Sequence, residues 1–384
     1  MINTYKQCRR CILNGNDSKG ISFDDSGLCN NCQQFDEKWQ HIPKNQHESD
    51  LLIKPVIKRV KQDGEGRKYD CIIGVSGGVD STYIAMLVKE MGLRPLAVHF
   101  DNGWNSELAV KNIEKIVSKL EIDLFTYVIN WEDFKRLQLA YLRASVVDIE
   151  ALTDHAIFGA IYKIAYEHDI KYIFSGSNVA TEGFLPGDWV HNKNDFMNIK
   201  SIFKRYGNGK VSTYPFVDKS MRKKIAKYNI EVVSILDMIP FNIEQAKIDI
   251  HEKLDWTSYE GKHFESIFTR FYQGYILPRK FGIDKRKAHL SNLICSGQMT
   301  REQALQEMNK VIYSESQIQE DLEFVTKKLG LSISEFEEIM ALPVRSHSDF
   351  DVEGSFFSHY PIFKPLRPLW RKYKKSLDEK SPLV

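Results

Sequence analysis

A string rich in glycine and serine follows a short apolar run near position 75. The string SGGVDS (76–81) lies between that run and a helical pattern. Glycines let the backbone approach an anion closely, and free amides at a helix start point toward it. No GK[ST] follows, so this is not a Walker A loop. The sequence therefore predicts a phosphate-binding loop, and the alternative is a glycine-rich turn capped by Asp80. The predicted phosphate-binding residues are Ser76, Gly77, Gly78, Val79, Asp80 and Ser81.

Four cysteines near the N-terminus form a second pattern. They are Cys8 and Cys11, then Cys29 and Cys32, each pair separated by two residues. This spacing is typical of a four-thiolate zinc site, with an iron–sulfur site and an unliganded quartet as less favoured alternatives. Because four thiolates fill a tetrahedron, we expect a structural zinc.

Composition narrows the class of protein. The chain has 384 residues, a formal net charge of +2 and 42% hydrophobic residues, which indicates a globular protein without an overall basic surface for nucleic acid. It has no apolar run of about 18 residues to span a membrane and no apolar signal segment. We expect a cytoplasmic protein that binds neither membranes nor nucleic acid, with Cys71 and Cys295 as packing residues.

Apolar runs of strand length alternate with helical patterns after position 69, which predicts an α/β fold with a parallel sheet. Helical patterns dominate after about position 241. The predicted strands are 70–75, 95–100, 124–129, 171–174 and 232–235. The predicted domains are a zinc-binding module (1–45), a linker helix (46–68), a nucleotide-binding domain (69–240) and a mainly helical region (241–384).

Other polar residues lie where strands end or helices begin. In open α/β sheets, ligands bind beyond the carboxyl ends of the strands, so Asp101, Gly176 and Ser177 are candidates for nucleotide contact, unless they form ordinary turns. Near position 150, a general base could lie in a polar group upstream of an apolar helix, although helix capping alone would explain Asp154. That group consists of Asp148, Glu150, Asp154 and His155.

The string SGGVDS in this setting resembles the loop of the PP-loop ATP pyrophosphatases (adenine nucleotide alpha hydrolase-like fold), such as GMP and NAD synthetases and tRNA thiolases. The resemblance implies that residues 76–81 bind the pyrophosphate of ATP and that Asp80 is a magnesium ligand. It also implies adenylylation of a carbonyl or carboxyl oxygen, followed by displacement of AMP by a nitrogen or sulfur nucleophile.

Nearly the whole chain is similar to the N-acetyl sugar amidotransferases of bacterial surface-polysaccharide and O-antigen biosynthesis. The strings that carry this resemblance are HFDNGWNSE (99–107), DIEALTDH (148–155), GSNVATEG (176–183), KHFESIFTRFYQGYILPRKFGIDKR (262–286) and AHLSNLICSGQMTREQAL (288–305). It implies that an N-acetyl group on a nucleotide-linked sugar becomes an acetamidino group. It also implies that ammonia comes from a glutaminase subunit through a cyclase-like partner.

Three further hypotheses concern the substrate. Lys200 is a candidate to stabilise charge on phosphorus, unless it lies on a solvated helix face, and Glu182 is a candidate pocket residue. The segment 183–198, with Trp189 and His191, is a candidate sugar-facing lid. The competing functions are a tRNA-modifying thiolase and a non-catalytic, zinc-dependent nucleic-acid-binding module, the latter favoured mainly by basic runs at 279–280 and 285–287.

Overall fold

The structure is a computed structural model that describes residues 7–259, 261, 264–311 and 313–353. Within these residues the strands form one parallel sheet in the order β3-β2-β1-β4-β5. The strands are β1 (Cys71–Gly74), β2 (Pro95–Asp101), β3 (Leu124–Val128), β4 (Tyr172–Phe174) and β5 (Glu231–Val233). The predicted α/β fold with a parallel sheet is confirmed.

The order of the strands creates a crevice at the centre of the sheet. The chain proceeds outward from β1 to β3, then returns to place β4 on the other side of β1. Ligands of open α/β sheets bind at this kind of switch point, beyond the carboxyl ends of the strands. The string SGGVDS follows β1, so the fold positions it at the crevice.

Helices cover the sheet and lead into a helical C-terminal region. The helices up to β5 are α1 (Asn30–Trp39), α2 (Gln46–Asp63), α3 (Val79–Glu90), α4 (Glu107–Leu120), α5 (Trp131–Ala144), α6 (Ala151–Glu167), α7 (Val179–Glu182), α8 (Phe196–Tyr206) and α9 (Lys219–Tyr228). Later come α10 (Ile243–Leu254), α11 (Ile267–Phe271), a π-helix (Tyr272–Phe281), α12 (Arg286–Cys295), α13 (Arg301–Met308), α14 (Glu315–Leu329) and α15 (Ile333–Ala341). Short 3₁₀ turns occupy Ile235–Met238 and His347–Asp349.

Some elements differ from the sequence-based expectations. The predicted strand 232–235 ends two residues earlier, because Ile235 begins the 3₁₀ turn. Within the region where helical patterns were expected, the chain forms the short α11 and then the π-helix, which contains Pro278. Helix α5 was not predicted, although Asn130 caps it and accepts a hydrogen bond from the Asp133 amide.

The cysteine module, part of the nucleotide-binding domain and the C-terminal helices share one hydrophobic core. Cys8, Phe134 and Phe271, from these three parts, belong to the same cluster of buried side chains. The predicted domain boundaries stay a prediction, and the part of the helical region from 354 onward lies outside the described residues. Among the described residues, no helix has the length and apolar character needed to cross a bilayer.

Close backbone packing fixes the position of α6. Gly159 on this helix faces the Pro215 carbonyl so closely that an added Cβ would clash with it. The Tyr214 hydroxyl donates a hydrogen bond to the Leu152 carbonyl over 2.6 Å in the same region. The absence of a side chain at Gly159 therefore lets the 212–217 segment contact α6 directly.

Replacing Gly159 with alanine should lower the free energy of unfolding by about 1–3 kcal/mol, because an extra methyl group in a packed interior forces the backbone apart. The matched control is Gly187→Ala, since a Cβ at exposed Gly187 would have open space around it. Urea unfolding of both variants measures the difference. Equal midpoints would show that α6 and the 212–217 segment can separate at no cost.

Candidate functional site

The phosphate loop has the geometry of an anion site. Gly77 has φ of 83°, and a Cβ there would lie 2.8 Å from the Ala109 carbonyl oxygen. Gly78 is the N-cap of α3 and provides no capping side chain, which leaves the first amides of the helix available to a ligand. Ser76 and Ser81 place their hydroxyls 3.2 Å apart at the same turn. The loop can therefore present amides and hydroxyls to phosphate oxygens.

Residues from the C-terminal region hold this loop in place. Trp256 Nε1 and the Tyr259 hydroxyl donate hydrogen bonds to the Gly77 carbonyl over 2.8 and 3.1 Å. A Cβ on Gly78 would lie 3.2 Å from the Glu265 carboxylate, so Glu265 borders the loop. The sequence alone gave no sign of these contacts, because they join residues about 180 positions apart.

The other predicted strand ends lie beside the loop. A Cβ on Gly176 would lie 3.5 Å from Asp80 Cβ, so the turn of Gly176 and Ser177 borders the start of α3. Asp101 Oδ1 accepts a hydrogen bond from Asn105, whose side chain also bonds to His99. His99 in turn bonds to the Val75 carbonyl directly before the loop. The structure thus brings the ends of β1, β2 and β4 together.

The predicted polar group near position 150 is part of a cluster of charged side chains. Lys193 Nζ lies 2.7 Å from Asp148 and 3.1 Å from Asp154. Asp148 also accepts a 2.7 Å hydrogen bond from the His191 amide. Glu150 accepts a 2.7 Å hydrogen bond from the Thr269 hydroxyl.

Burial and charge have opposite effects in this cluster. Burial raises the pKa of Glu150 to about 7, since the Thr269 hydrogen bond offsets burial only in part and Asp154 adds repulsion. Burial also disfavours the charged form of Asp148, but Lys193 and Lys285 outweigh it and lower its pKa. The pKa of Lys285 is lowered, chiefly by burial. The cluster thus combines a carboxylate that stays charged with one that can exchange a proton near neutral pH.

His155 has a structural role in this arrangement. Its Nε2 accepts a hydrogen bond from the Val217 amide over 2.9 Å, so Nδ1 must carry the proton and donate to the Lys193 carbonyl over 2.7 Å. Burial lowers the pKa of His155 to about 4. Because both ring nitrogens are engaged, this side chain lacks a lone pair for use as a general base. Capping does not explain Asp154 either, since Glu150 is the N-cap of α6.

Two other candidates, Lys200 and Glu182, lie in different settings. Lys200 is on the exposed side of α8, whose buried face consists of Asn198, Ile199 and Ile202, so the solvated-face alternative describes it. Glu182 ends α7 near Asp237, whose pKa is raised chiefly by burial and also by Glu182.

The segment 183–198 is anchored, which argues against a sugar-facing role for Trp189. Trp189 is 1% exposed and donates a hydrogen bond to the Asp17 carbonyl. His191 stacks on His347 at 4.2 Å. This segment places the Lys193 side chain in the charged cluster.

The four predicted cysteine ligands lie together. Their sulfurs are all within 4.8 Å of one another, and Cys8 to Cys32 and Cys11 to Cys29 measure 3.8 and 3.7 Å. A tetrahedron with metal–sulfur bonds of about 2.3 Å has edges of about 3.8 Å, so the quartet fits one metal ion. Cys295 is buried as expected and packs against the quartet, with its sulfur 3.6 Å from Cys32 Sγ.

The basic runs that favoured a nucleic-acid-binding function make hydrogen bonds and ion pairs within the protein. Lys280 donates hydrogen bonds to the carbonyls that end α15. Arg286 pairs with Asp284, and Lys287 pairs with Asp17 of the cysteine module. Lys285 belongs to the charged cluster. These lysines and arginines therefore do not form one continuous free surface for phosphates.

Two protein-family models match separate parts of the chain. The model described as "LPS biosynthesis protein WbpG-like, C-terminal domain" matches residues 265–365. The model described as "Queuosine biosynthesis protein QueC" matches residues 70–158. Together they confirm the resemblance to PP-loop proteins of surface-polysaccharide biosynthesis and support an ATP-utilising fold.

Similarity to curated proteins is more distant. The uncharacterized protein MJ1599 of Methanocaldococcus jannaschii is 26% identical over 176 residues, which is 44% of this chain and 58% of that protein. The uncharacterized protein MJ1016 of the same organism is 26% identical over 221 residues, which is 52% of this chain and 70% of that protein. The chain thus spans less than two thirds of the first of these relatives.

Two solved synthetases show a weak structural likeness. NMN synthetase from Francisella tularensis has 12% identity and a TM-score of 0.28, covering 63% of this chain and 92% of its own. The NH3-dependent NAD synthetase from Campylobacter jejuni has 11% identity and a TM-score of 0.30, covering 69% and 99%. Likeness at this level supports no conclusion about activity.

The buried state of His155 predicts a pH dependence of stability. Its pKa is about 4 in the folded chain and about 6.5 when exposed, so only the unfolded chain takes up this proton between those values. The free energy of unfolding should therefore fall as pH drops from 6.5 to 4, by up to about 1.4 kcal/mol per pH unit from this residue.

His155→Gln should remove this component, because glutamine can keep both hydrogen bonds without titrating. The exposed His41→Gln should keep the wild-type slope. Urea unfolding between pH 4 and 7.5 measures all three proteins. Parallel curves for wild type and His155→Gln would show that His155 titrates normally.

Proposed function

We propose that this chain, which joins an ATP-utilising PP-loop domain to a WbpG-like C-terminal domain, is an ATP-dependent, AMP-forming amidotransferase. It adenylylates the N-acetyl carbonyl of a nucleotide-linked sugar and forms an acetamidino group with ammonia. The product belongs to the biosynthesis of a bacterial surface polysaccharide.

One observation carries this proposal: the two matched parts of the chain meet at the phosphate loop. The WbpG-like match begins at Glu265, and Glu265 borders Gly78. Its neighbour Ser266 pairs with Asn105, which binds Asp101 at the end of β2. The WbpG-like C-terminal domain therefore forms part of the wall of the nucleotide crevice, where a sugar amide could meet the α-phosphate of ATP.

The residues of the crevice suit the chemistry of such a reaction. An amide carbonyl is a poor electrophile, and transfer of AMP to its oxygen converts that oxygen into a good leaving group. Amides at the start of α3 would stabilise the departing pyrophosphate, and the anchored loop would hold ATP beside the amide. Asp80, in the first turn of α3, is suited to a magnesium ion that neutralises phosphate charge.

We assign zinc to the cysteine quartet. Four thiolates in a tetrahedron are typical of structural zinc, which leaves no open coordination position. Cys295 would donate a hydrogen bond to the Cys32 sulfur and tune its charge. Arg10 donates to the Cys295 carbonyl over 2.9 Å, so the module also binds α12 directly.

Ammonia would come from a separate glutaminase through a cyclase-like delivery subunit. All six cysteines are buried, so none is exposed as a glutaminase nucleophile. The same fact disfavours the thiolase alternative. Cys71 starts β1, at the opposite end of the strand from the phosphate loop, and burial raises the pKa of its thiol.

The products of ATP test the proposed function directly. With ammonium chloride and UDP- or CMP-linked N-acetyl sugars, the protein should release AMP and pyrophosphate only when sugar and ammonium are both present. Asp80→Ala should lower the rate by at least about a hundredfold, because the phosphates lose their alignment. The exposed Asp25→Ala should have no effect. Release of ADP, or turnover that needs no sugar, would contradict the proposal.

Metal analysis tests the zinc assignment. Purified protein should contain one zinc per chain, and Cys11→Ser should lose it. Cys71→Ser is the matched control, since Cys71 is equally buried but lies outside the quartet. Cys295→Ala should keep the metal but lower its affinity by about 10- to 100-fold in chelator competition. Iron in the wild type, or zinc retained by Cys11→Ser, would refute the assignment.

A further inference from the structure

Two buried carboxylate oxygens in the charged cluster are unusual because they accept no hydrogen bond from the described residues. They are Asp148 Oδ1 and Glu150 Oε1. Asp148 is 0% exposed, and buried polar atoms are nearly always hydrogen-bonded in folded proteins. These two oxygens are therefore positioned to accept hydrogen bonds from a bound ligand or from water.

The charge of the cluster points to the kind of donor. Among the described residues, the carboxylates of Asp148, Glu150 and Asp154 face two cations, Lys193 and Lys285. With all groups ionised, the described part of this cluster carries one negative charge in excess. The Asp154 side chain is 42% exposed, so the cluster reaches the surface there. Its chemistry suits a small nitrogen ligand with several N–H bonds, or the cation that such a ligand forms.

One short segment, residues 265–269, contacts both the phosphate loop and the cluster. Glu265 borders Gly78, and Thr269, four residues later, holds Glu150. Ser266 caps α11 between them, and a helix rises about 1.5 Å per residue. Only about one helical turn therefore separates the residue that borders the loop from the residue that positions Glu150.

We propose that the cluster of Asp148, Glu150 and Asp154 receives ammonia and that Glu150 is the base that removes a proton during amidine formation. This assignment rests on the proposed function and names residues for its second step. Thr269 is a positioning residue, because it acts by holding the Glu150 carboxylate.

The proton balance of the step requires such a base. After adenylylation of the oxygen, the amide nitrogen carries a proton and the carbonyl carbon is electrophilic. Ammonia attacks this carbon and forms a C–N bond, which leaves the new nitrogen positively charged with no lone pair. One N–H proton passes to the Glu150 carboxylate. The freed lone pair then forms the C–N double bond, the C–O bond to AMP breaks, and an amidinium cation remains.

The surroundings of Glu150 suit this exchange. The titratable groups around it are Asp154 of α6, Lys193, Lys285 and Tyr272 of the π-helix. Burial raises its pKa to about 7, near the value at which a general base is most efficient in neutral solution. Activity should therefore rise with pH through about 7, as Glu150 loses its proton.

Separate assays of the two half-reactions test the proposal. Exchange of labelled pyrophosphate into ATP with UDP- or CMP-linked N-acetyl sugars reports adenylylation, and ammonium-dependent AMP release reports amidine formation. Glu150→Gln should keep the exchange within about twofold but lower AMP release by about 10²–10⁴-fold. When the rate of AMP release is expressed per concentration of unprotonated ammonia, the Glu150→Gln variant should no longer show the increase near pH 7. Glu338→Gln, at an exposed position on α15, is the matched control and should match the wild type.

Thr269→Val keeps the shape of the side chain and removes the hydroxyl that holds Glu150. It should lower kcat for amidine formation by about tenfold, leave the KM for sugar unchanged and shift the midpoint of the pH profile upward, since that hydrogen bond lowers the pKa of Glu150. Circular dichroism should show the wild-type fold for both variants.

The results separate the two proposals. If Glu150→Gln raises the KM for sugar and slows both half-reactions alike, Glu150 binds the sugar and the base assignment is overturned. The assignment also fails if the variant keeps the wild-type rate and pH profile. If the wild type exchanges pyrophosphate with none of the sugars, the proposed function itself fails, and the base assignment fails with it.

Discussion

The buried ion pair between Asp148 and Lys193 is the interaction on which the rest of the site depends. A carboxylate with no solvent exposure is costly by several kcal/mol unless a cation and hydrogen bonds compensate it, and Lys193 provides that cation over 2.7 Å. Lys193 can reach Asp148 only if the segment before α8 folds inward. His155 holds the Lys193 carbonyl from α6, and the His191 amide donates to Asp148. The need to neutralise Asp148 thus determines where the segment 183–198 lies against the start of α6.

The cysteine module stabilises the same segment from its other side. Trp189 bonds to the Asp17 carbonyl, and Lys287 pairs with the Asp17 side chain. Lys287 lies two residues after Lys285, so the module, α12 and the cluster form a continuous chain of contacts. A module of about 45 residues with few aliphatic side chains cannot build a large core of its own, and the zinc proposed for the quartet would add the missing stability. With zinc bound, the quartet would thus stabilise the segment that carries Lys193, although it lies in a separate part of the sequence.

Features that arise from residues adjacent in the sequence, such as the phosphate loop, could be predicted. Features that arise from contacts between distant residues could not. The loop 76–81 was recognisable because glycines and serines between a strand and a helix have a local physical meaning. Thr269 and Lys285 are isolated side chains whose roles arise only when positions more than a hundred residues from Glu150 fold beside it. The sequence suggests His155 as a general base because a histidine in a polar string is a reasonable proton acceptor. Its two hydrogen bonds come from residues 38 and 62 positions away, which periodicity does not reveal.

The composition of the cluster argues that it is maintained for chemistry more than for stability. Well-packed apolar side chains of similar volume are often as stable as buried ion pairs, or more so. Here the carboxylates exceed the lysines, burial raises the pKa of Glu150 to about 7, and two buried oxygens have no donor among the described residues. Each of these features costs stability. A ligand that brings N–H donors and positive charge would offset all of them at once, as expected of a site used for chemistry. Thr269, which holds Glu150, lies about one helical turn from Glu265, which borders the loop that would hold ATP, so the segment that borders the crevice, where a cation would form, also contacts this excess of carboxylates.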